Sequence, residues 1–466
     1  MTANLNRRSF FKTTALGAAA LAVPRGLWAA NGTGGGRKKP NFVIIFIDDM
    51  GYGDIEPFGS QKNRTPHLNR MAAEGMKWTD FYVASTACTP SRAALLTGCY
   101  ADRVAMDGRV CFPGEARGLN PSEITLAEML KQAGYATGCF GKWHLGDQPQ
   151  FLPTRRGFDE YLGIPYSNDM WSPRYPPLPL IKQEEPVAWV QDGPDQALLC
   201  KVFTDAAVDF IRRHKDEPFF VYLPHAFIHH PRFARDEFLQ RAGGDVTRAQ
   251  IEEVDWSAGQ VLDGLRELGL ADNTLVFFTS DNGGSDGTSM GPLRGGKGGP
   301  EYEGHKREPT LAWWPGTIPA GAVCHEIGST IDLYPTFAAL AGTNVPQDRI
   351  IDGSDIRDLL RGKPGARSPH TLLYYGHGGL RDGKWKLVKS GKGWELYDLE
   401  TDLGEKHDLA DKHPDRVKAM VKQIEAHRAD VTSHRRPHGT AANPKPILTQ
   451  KDTDRVPSVR QYLNLP

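Results

Sequence analysis

The sequence lacks an excess of charge of either sign. Its 466 residues include 56 basic and 56 acidic side chains, so the formal net charge is zero. A chain without a basic surplus has no general attraction to nucleic acid or to an anionic membrane surface, and we predict no nucleic acid partner. Any anionic ligand must therefore be bound by a local group of cations.

Cysteine, internal repeats and long apolar runs are also scarce. Six cysteines in a chain of this length do not predict a disulfide framework. The apolar run Thr13–Val23 is too short and too rich in alanine to act as a permanent membrane anchor. It follows Arg7 and Arg8 in the sequence NRRSFFK, which resembles the twin-arginine export motif. Residues 1–30 are therefore predicted to engage the twin-arginine export machinery of a bacterium, with a periplasmic or secreted product.

Glycine and proline are abundant, at 50 and 34 residues, and predict long connections around a scaffold rather than a helical bundle. Three continuous apolar runs without alternation predict strands buried on both faces: Phe42–Ile47, Phe219–Leu223 and Leu275–Phe278. Helical patterns lie between them at 124–133, 200–213 and 254–268. The alternation predicts an α/β fold with a doubly wound, largely parallel central sheet flanked by helices.

The pattern changes after the turn signals of Arg361–Gly365. Short antiparallel strands followed by a helix predict a smaller C-terminal α+β subdomain, with elements at 372–375, 385–388, 394–397 and 414–429. The predicted boundaries are a signal peptide over 1–30, a linker over 31–39, the main domain over 40–365, the subdomain over 366–435 and a tail over 436–466.

Acidic and amide side chains follow two of the predicted buried strands. Asp48 and Asp49 come directly after the first strand, and Asp281 and Asn282 follow the strand that begins near Leu275. Ligands of open α/β sheets bind outside the carboxyl ends of strands, so the four are expected to converge. Such oxygen-only ligands suit Ca²⁺, and less securely Mg²⁺, but neither zinc nor a redox metal. Polar loops and turns are the alternative interpretation.

Residues 88–92, with the sequence CTPSR, precede the helix-forming stretch AALLT. Thr89 is a good N-cap and Pro90 suits the first helical position, so Cys88 is predicted to lie just before a helix N-terminus. Free N–H groups and the helix dipole favour an anion there. A buried, inert cysteine is the alternative.

The C-x-P-x-R pattern and the residues after it resemble the signature of the type I sulfatases, within the alkaline phosphatase superfamily. Blocks at 141–146 (GKWHLG) and 307–316 also resemble that family, and the resemblance covers most of residues 40–400. It implies an alkaline phosphatase-like fold in the main domain. It also implies that a formylglycine-generating maturation enzyme oxidises Cys88 to formylglycine, whose hydrate binds Ca²⁺ and attacks the sulfur of a sulfate ester.

The same resemblance assigns roles to individual residues. The implied metal ligands are Asp48, Asp49, Asp281, Asn282 and the modified residue 88. Arg92 is implied to stabilise the formylglycine, Lys142 to contact it and the sulfate, and His144 to act as the base that releases sulfate. His229 falls on a sulfate-binding position from which it can protonate the leaving oxygen, and Lys297 is implied to neutralise the sulfate. His225 is a further candidate for substrate binding.

The chain departs from the family pattern at two positions and carries two motifs typical of other kinds of site. Ile228 replaces the proline usual before the sulfate-binding histidine, and His305 replaces a glycine, so both loops are expected to differ locally. A zinc site at His225, His229 and His230 lacks further ligands at suitable spacing. The stretch 291–297 resembles the start of a P-loop, but Gly298 stands where a Ser or Thr is required, so we reject a nucleotide site.

The predicted activity is therefore hydrolysis of a sulfate ester on a carbohydrate or an aryl group. Blocks at 149–151 and 157–160 resemble the arylsulfatase A and N-acetylgalactosamine-6-sulfatase group, which implies a sulfated galactose-type sugar. The segment Asn168–Trp189, with Trp171, Arg174 and Tyr175, is either a sugar-stacking loop or ordinary packing. The alternatives are a phosphatase or phosphonate monoester hydrolase on the same scaffold, and a noncatalytic glycan-binding relative. With Cys88 modified, five cysteines remain, so at least one is expected to be unpaired.

Overall fold

The computed structural model describes residues 38–376 and 378–465. The predicted signal peptide and most of the predicted linker lie outside the described residues. The strands are β1 (Asn41–Ile47), β2 (Met76–Trp78), β3 (Phe81–Tyr82), β4 (Arg117–Gly118), β5 (Ala136–Lys142), β6 (Glu160–Ile164), β7 (Leu178–Lys182), β8 (Glu185–Val190), β9 (Phe219–Pro224), β10 (Thr274–Ser280), β11 (Thr310–Trp313), β12 (Ala322–Cys324), β13 (Gly328–Ser329), β14 (Leu372–Tyr374), β15 (Gly379–Asp382), β16 (Trp385–Ser390), β17 (Gly393–Asp398) and β18 (Gly439–Thr440). The α-helices are α1 (Pro66–Glu74), α2 (Cys88–Thr97), α3 (Leu126–Gln132), α4 (Gly193–Ala197), α5 (Leu199–Arg213), α6 (Asp236–Arg241), α7 (Val246–Glu267), α8 (Leu333–Ala341), α9 (Arg357–Leu360), α10 (Pro414–Ser433) and α11 (Val459–Tyr462).

The central sheet has the strand order β12-β2-β11-β10-β1-β9-β5-β6-β7-β8. Its middle strands, from β10 to β6, run parallel, whereas β11 and β7 pair antiparallel with their inner neighbours. Successive β1 side chains point to opposite faces: Phe42 and Phe46 pack in one buried cluster, and Val43 and Ile47 in another. Both faces are covered, which explains the uninterrupted apolar runs and confirms the predicted doubly wound, largely parallel sheet.

The smaller C-terminal unit is also present. Strands β14 to β17 form an antiparallel sheet, and α10 packs Met420 and Ile424 onto it. Buried polar contacts join this unit to the main sheet region. Lys386 and Tyr375 both donate to the carboxylate of Glu303, at 2.9 and 2.7 Å. Glu303 lies in the segment that follows Lys297, so the subdomain supports one side of the candidate site.

Helix α2 begins at Cys88, and its N-cap is Ala87. The predicted N-cap role of Thr89 is therefore wrong: its hydroxyl donates to the carbonyl of His144 at 2.7 Å and accepts from the backbone N–H of Cys111.

All six cysteines lie among the described residues and are buried with free thiols. Among the described helices, we find none with the length and apolar character needed to cross a membrane.

Candidate functional site

The ends of two neighbouring strands form the floor of the site. Because β1 and β10 are parallel with Ile47 opposite Ser280, the residues that follow them emerge side by side. Asn282 Nδ2 donates to Asp49 Oδ1 at 2.8 Å, and the Asp49 N–H donates to Asp281 Oδ1 at 3.3 Å. Asp48, Asp49, Asp281 and Asn282 are all buried. The structure thus brings together the predicted metal-ligand residues of the two strands.

Helix α2 points its first residue into this floor. The Cys88 thiol donates to Asp48 Oδ1 at 3.3 Å, and Lys297 Nζ lies 3.7 Å from Cys88 Sγ. Burial, reinforced by the nearby Asp48 carboxylate, raises the pKa of the Cys88 thiol well above its usual range. The side chain is therefore a neutral thiol, which is not the nucleophilic form of cysteine.

Arg92 lies one helical turn after Cys88 and is fully buried. Its guanidinium binds Asp281 Oδ2 at 2.8 Å and Asp48 Oδ2 at 3.3 Å, and donates to the carbonyl of Lys142 at 3.0 Å. It thereby connects three strand ends, those of β1, β5 and β10. Burial opposes ionisation of Asp48, but Lys142, His229 and Arg92 outweigh it and hold the pKa of that carboxyl well below its usual range.

The donor set fits a hard divalent cation. Single ligand atoms of Asp48, Asp49, Cys88 and His229 lie within 4.8 Å of one another, and the buried Asn282 Oδ1 has no hydrogen-bond partner among the described residues. Burial, followed by the charge of Asp48, raises the pKa of Asp281 to about 7. A bound cation would reverse that shift, because an opposite charge favours the carboxylate. Carboxylate and amide oxygens of this kind suit Ca²⁺ or Mg²⁺.

Lys142 ends β5 and is fully buried. Its ammonium group contacts Asp48 and donates to Ser167 Oγ at 3.0 Å. Ser167 was missed in the sequence analysis. It lies three residues beyond the end of β6, the strand next to β5. This position after a strand end is the only feature of Ser167 that could have indicated a role in the site.

His144 reaches the site by a route that the sequence did not predict. Strand β5 ends at Lys142, and His144 has a φ of 59°, so the backbone is no longer extended where it presents His144. The imidazole Nε2 lies 3.1 Å from the carbonyl of Cys111. A carbonyl can only accept, so Nε2 carries the proton. The buried Nδ1, for which the described residues supply no hydrogen-bond partner, is the free base. Burial, assisted by Lys142 and Arg92, holds the pKa of His144 well below its usual range.

His229 and Lys297 form the more open side of the site. Their side chains are 14% and 26% exposed, whereas those of Lys142 and Arg92 are not exposed at all. Lys297 Nζ binds Asp49 Oδ1 at 2.6 Å, and His229 Nε2 lies 3.9 Å from Asp49 Oδ2. His229 Nδ1 donates to the carbonyl of His230 at 2.5 Å, so Nε2 is the nitrogen that faces the site. A ligand reaches the buried groups from this side.

His225 is placed differently. Its imidazole is fully buried, and Nε2 lies 2.9 Å from Ser257 Oγ on α7. Burial lowers the pKa of His225 to about 3, so the ring is neutral. We find no hydrogen bond or ion pair between the His225 side chain and the other predicted residues in the described part of the chain, so its role in substrate binding stays a prediction.

The charges of the site are nearly balanced without a metal. Arg92, Lys142 and Lys297 face the three aspartates, and burial keeps the pKa of Glu308 well above its usual range, so that buried carboxyl adds no charge. A divalent cation would leave two positive charges in excess. The loaded site would therefore attract an anion even though the chain as a whole is neutral.

Comparison with known families agrees with this geometry. Residues 40–343 match the family model described as Sulfatase, and residues 301–431 match the model described as N-sulphoglucosamine sulphohydrolase, C-terminal. Human arylsulfatase A is 39% identical over 76% of this chain and 74% of its own length. Human N-acetylgalactosamine-6-sulfatase is 40% identical over 74% of this chain and 70% of its own length.

Solved structures show the same relationship. The crystal structure of Ps i-CgsB in complex with k-i-k-neocarrahexaose has a TM-score of 0.76 and 31% identity, and the match covers 86% of this chain and 96% of that one. The phosphonate monoester hydrolase of Agrobacterium radiobacter, at 18% identity and a TM-score of 0.60, shares the fold alone. The family match covers most of the main sheet, and the similar relatives are themselves sulfatases, so this chain belongs to the sulfatase family and is a sulfuric ester hydrolase.

Proposed function

We propose that this sulfatase removes sulfate from a galactose-type sugar, using a formylglycine formed from Cys88 and a bound Ca²⁺ ion. The observation that carries the proposal is the position of Cys88, whose sulfur lies 3.3 Å from Asp48 Oδ1 and 3.7 Å from Lys297 Nζ. An inert structural cysteine has no need of carboxylates and cations around it. The neutral thiol that the site enforces is a poor nucleophile, which favours a modified side chain there.

Two groups would supply chemistry that the unmodified chain lacks. A hydrated formylglycine would provide one hydroxyl to attack sulfur and a second to expel sulfate afterwards, and Ca²⁺, held by Asp48, Asp49, Asp281 and Asn282, would withdraw charge from oxygen. The chain's own cations do the rest. Lys297 lies 3.7 Å from Cys88 Sγ, Lys142 contacts Asp48, and both neutralise the negative charge of the sulfate group, while Ser167 orients Lys142.

Proton transfer is assigned to the two histidines. His144 is neutral with Nδ1 free, so it can accept a proton from the hydroxyl that remains at residue 88. His229 has its exposed nitrogen toward the site. Burial lowers the pKa of His229, but an arriving sulfate anion raises it again, which favours a proton on Nε2 for the leaving oxygen.

Release of inorganic sulfate tests the proposed function. The protein, coexpressed with a formylglycine-generating enzyme, should hydrolyse galactosamine 6-sulfate faster than glucosamine 6-sulfate at equal concentration. It should hydrolyse an aryl sulfate faster than the matching aryl phosphate and phosphonate monoester. A preference for the phosphorus esters would replace the proposal with phosphatase or phosphonate monoester hydrolase activity, and equal rates on both sugars would remove the galactose assignment.

His229→Ala should slow hydrolysis of a sulfated sugar far more than that of an aryl sulfate with an acidic phenol. A sugar alkoxide needs a proton as the S–O bond breaks, whereas an activated phenolate leaves as the anion. The expected difference in kcat is roughly 10²–10⁴-fold, the usual value of general acid assistance. Equal losses of kcat for the two substrates would remove the general-acid role and transfer it to Lys297.

His305→Ala should displace Lys297 and lower kcat/KM by roughly tenfold, the scale of one lost hydrogen bond. His305 Nε2 accepts from the Gly298 N–H at 2.9 Å, and Nδ1 lies 3.2 Å from the Pro300 carbonyl. These contacts fasten a loop in which Gly298 and Gly299 both have positive φ. The residue that departs from the family pattern therefore orders the Lys297 loop in this chain.

The pH profile provides a second measurement for His305. Burial lowers the pKa of His305, so the ring stays neutral and able to accept until the pH falls below that lowered value. Activity that depends on the loop should fall on the acid side in the wild type, and that limb should flatten in His305→Ala. His407→Ala, at an exposed loop position, is the control and should change neither quantity. An unchanged kcat/KM in His305→Ala would contradict the prediction.

We also propose export through the twin-arginine route, which carries folded protein and so is compatible with modification of Cys88 before export. Replacing Arg7 and Arg8 with lysine should leave precursor in the cytoplasm, detected by cell fractionation and immunoblotting. Unchanged export of the double variant would point to another route.

A further inference from the structure

The segment from Ser167 to Tyr175 forms part of the rim of the site. At its start, Ser167 Oγ accepts from Lys142, and Asn168 Nδ2 donates to the carbonyl of Pro231 at 3.2 Å, just beyond His229. Hydrogen bonds therefore hold the start of the segment beside Lys142 and beside the loop of His229, the two residues proposed to act on the sulfate group. The conformation of the segment is tied to the site.

The far end of the segment meets the other side of the site. The Tyr175 ring stacks on the Phe112 ring with centroids 6.2 Å apart and planes 20° apart. Phe112 follows Cys111, whose carbonyl is the partner of His144 Nε2. The segment thus runs along the rim from the His229 loop to the His144 loop, and both aromatic rings are half-buried.

Arg174 is an exposed cation on this rim with uncommitted donors. Its guanidinium lies over the Tyr175 ring, 5.4 Å from the centroid, and makes no hydrogen bond or ion pair with any residue that the structure describes. The nearby cations are engaged: Arg109 binds Glu115 at 2.7 Å, and Arg232 donates to the carbonyls of Ile228 and Asp286. The position of Arg174 over the ring limits the motion of its guanidinium without using any N–H group, which lowers the entropy cost of binding an oxyanion.

From this arrangement we propose that Arg174 binds a second anionic group of the substrate, a sulfate ester or a carboxylate, carried by the sugar next to the one that loses its sulfate. The inference rests on the proposed function, because the first sulfate is assigned to Lys142 and Lys297. Those two cations are occupied by one sulfate group. A separate, preorganised cation on the rim gives the enzyme a preference for a polyanionic oligosaccharide over a singly sulfated one.

Three disaccharides that share one scissile sulfate test the proposal, with a neutral, a sulfated and a carboxylated neighbouring sugar. The quantity measured is the ratio of kcat/KM for each dianionic substrate to that for the substrate with the neutral neighbour. In Arg174→Ala the ratio should fall about fivefold, the scale of a partly exposed ion pair. A fall for only one dianionic substrate identifies whether sulfate or carboxylate is bound.

Arg212→Ala is the matched control, because it removes the same charge from an exposed position. Arg212 lies at the end of α5, just ahead of β9, and therefore at the opposite edge of the sheet from the site. It should leave both ratios unchanged. Ratios in Arg174→Ala that equal those of the wild type for both dianionic substrates would overturn the proposal.

Failure of the proposed function would be recognised separately. If the wild type hydrolyses none of the three disaccharides, the galactose-type sulfatase proposal fails. In that case Arg174 is tested by binding alone. The dianionic disaccharides are titrated calorimetrically into the Cys88→Ala variant and into the double variant that also carries Arg174→Ala, and the two affinities are compared. Weaker binding of the dianionic ligands by the double variant supports the inference, and equal affinities overturn it.

Discussion

Cys88→Ala is expected to reduce sulfate release by on the order of 10⁴- to 10⁶-fold, the usual consequence of removing a catalytic nucleophile. The substitution deletes one buried atom at the start of α2 and leaves the ion pairs of Arg92 in place, so the fold should persist. Circular dichroism and thermal unfolding measure the fold, and sulfate release measures the chemistry. In active wild-type protein, mass spectrometry of the tryptic peptide Trp78–Arg92 should show formylglycine in place of cysteine.

The control for this variant is another buried cysteine. Cys200→Ala removes a thiol from α5, where the sulfur donates to the Glu253 carbonyl at 3.8 Å and has no contact with the candidate site among the described residues. It should retain activity. A fully active wild-type protein that carries an intact thiol at residue 88 would end the formylglycine mechanism, whatever the behaviour of the alanine variant.

Asp281→Asn is expected to lose bound Ca²⁺ and activity together, with a fall in kcat/KM of roughly 10³-fold, because a metal that stabilises charge contributes several kcal/mol to the transition state. Asparagine keeps the size of the side chain but removes the charge that attracts the cation and that pairs with Arg92 at 2.8 Å. Metal content by mass spectrometry and affinity by calorimetry are measured beside the rate.

Asp255→Asn is a matched control for the metal. Asp255 is also a buried aspartate whose pKa burial raises to about 7, but it accepts from the backbone N–H groups of His67 and Leu68 at the start of α1. If replacing a buried carboxyl with an amide itself perturbs the fold, both variants should lose stability. Loss of bound Ca²⁺ should occur only in Asp281→Asn. Stoichiometric zinc in the wild type, or full activity after thorough chelation, would exclude the calcium proposal.

Much of the fold followed from local patterns. A strand covered on both faces must be apolar at every position, so Phe42–Ile47 and Leu275–Phe278 were recognisable as central strands. Because parallel strands end at the same edge, the polar residues after each one were expected to converge, and the structure brings them together. These inferences need only the sequence periodicity and one topological rule.

Other features depended on backbone detail that spacing does not encode. Thr89 had the residue type of an N-cap, yet α2 begins one residue before it and its hydroxyl binds the His144 carbonyl. Strand β5 ends at Lys142, and the positive φ of His144 has no signal in the residue types around it. Ser167 carried no motif of its own. For Thr89 the contact lies 55 residues away in the chain, which is beyond the reach of a local capping rule.

By itself, the sequence determined the family, the central strands and the residue types available for catalysis. Only the tertiary structure decided which of those residues meet. It places Cys88 beside Asp48 and Lys297, and it pairs His225 with Ser257. The Cys111 carbonyl accepts from His144 Nε2, so Nδ1 is the basic nitrogen of that ring. The tertiary structure also places the guanidinium of Arg174 over the Tyr175 ring, without a hydrogen bond or ion pair to any residue in the described part of the chain. The physical reason is range: periodicity and capping act over a few neighbouring residues, whereas burial, charge pairing and tautomer choice depend on atoms that lie from 32 to 209 residues apart in the chain.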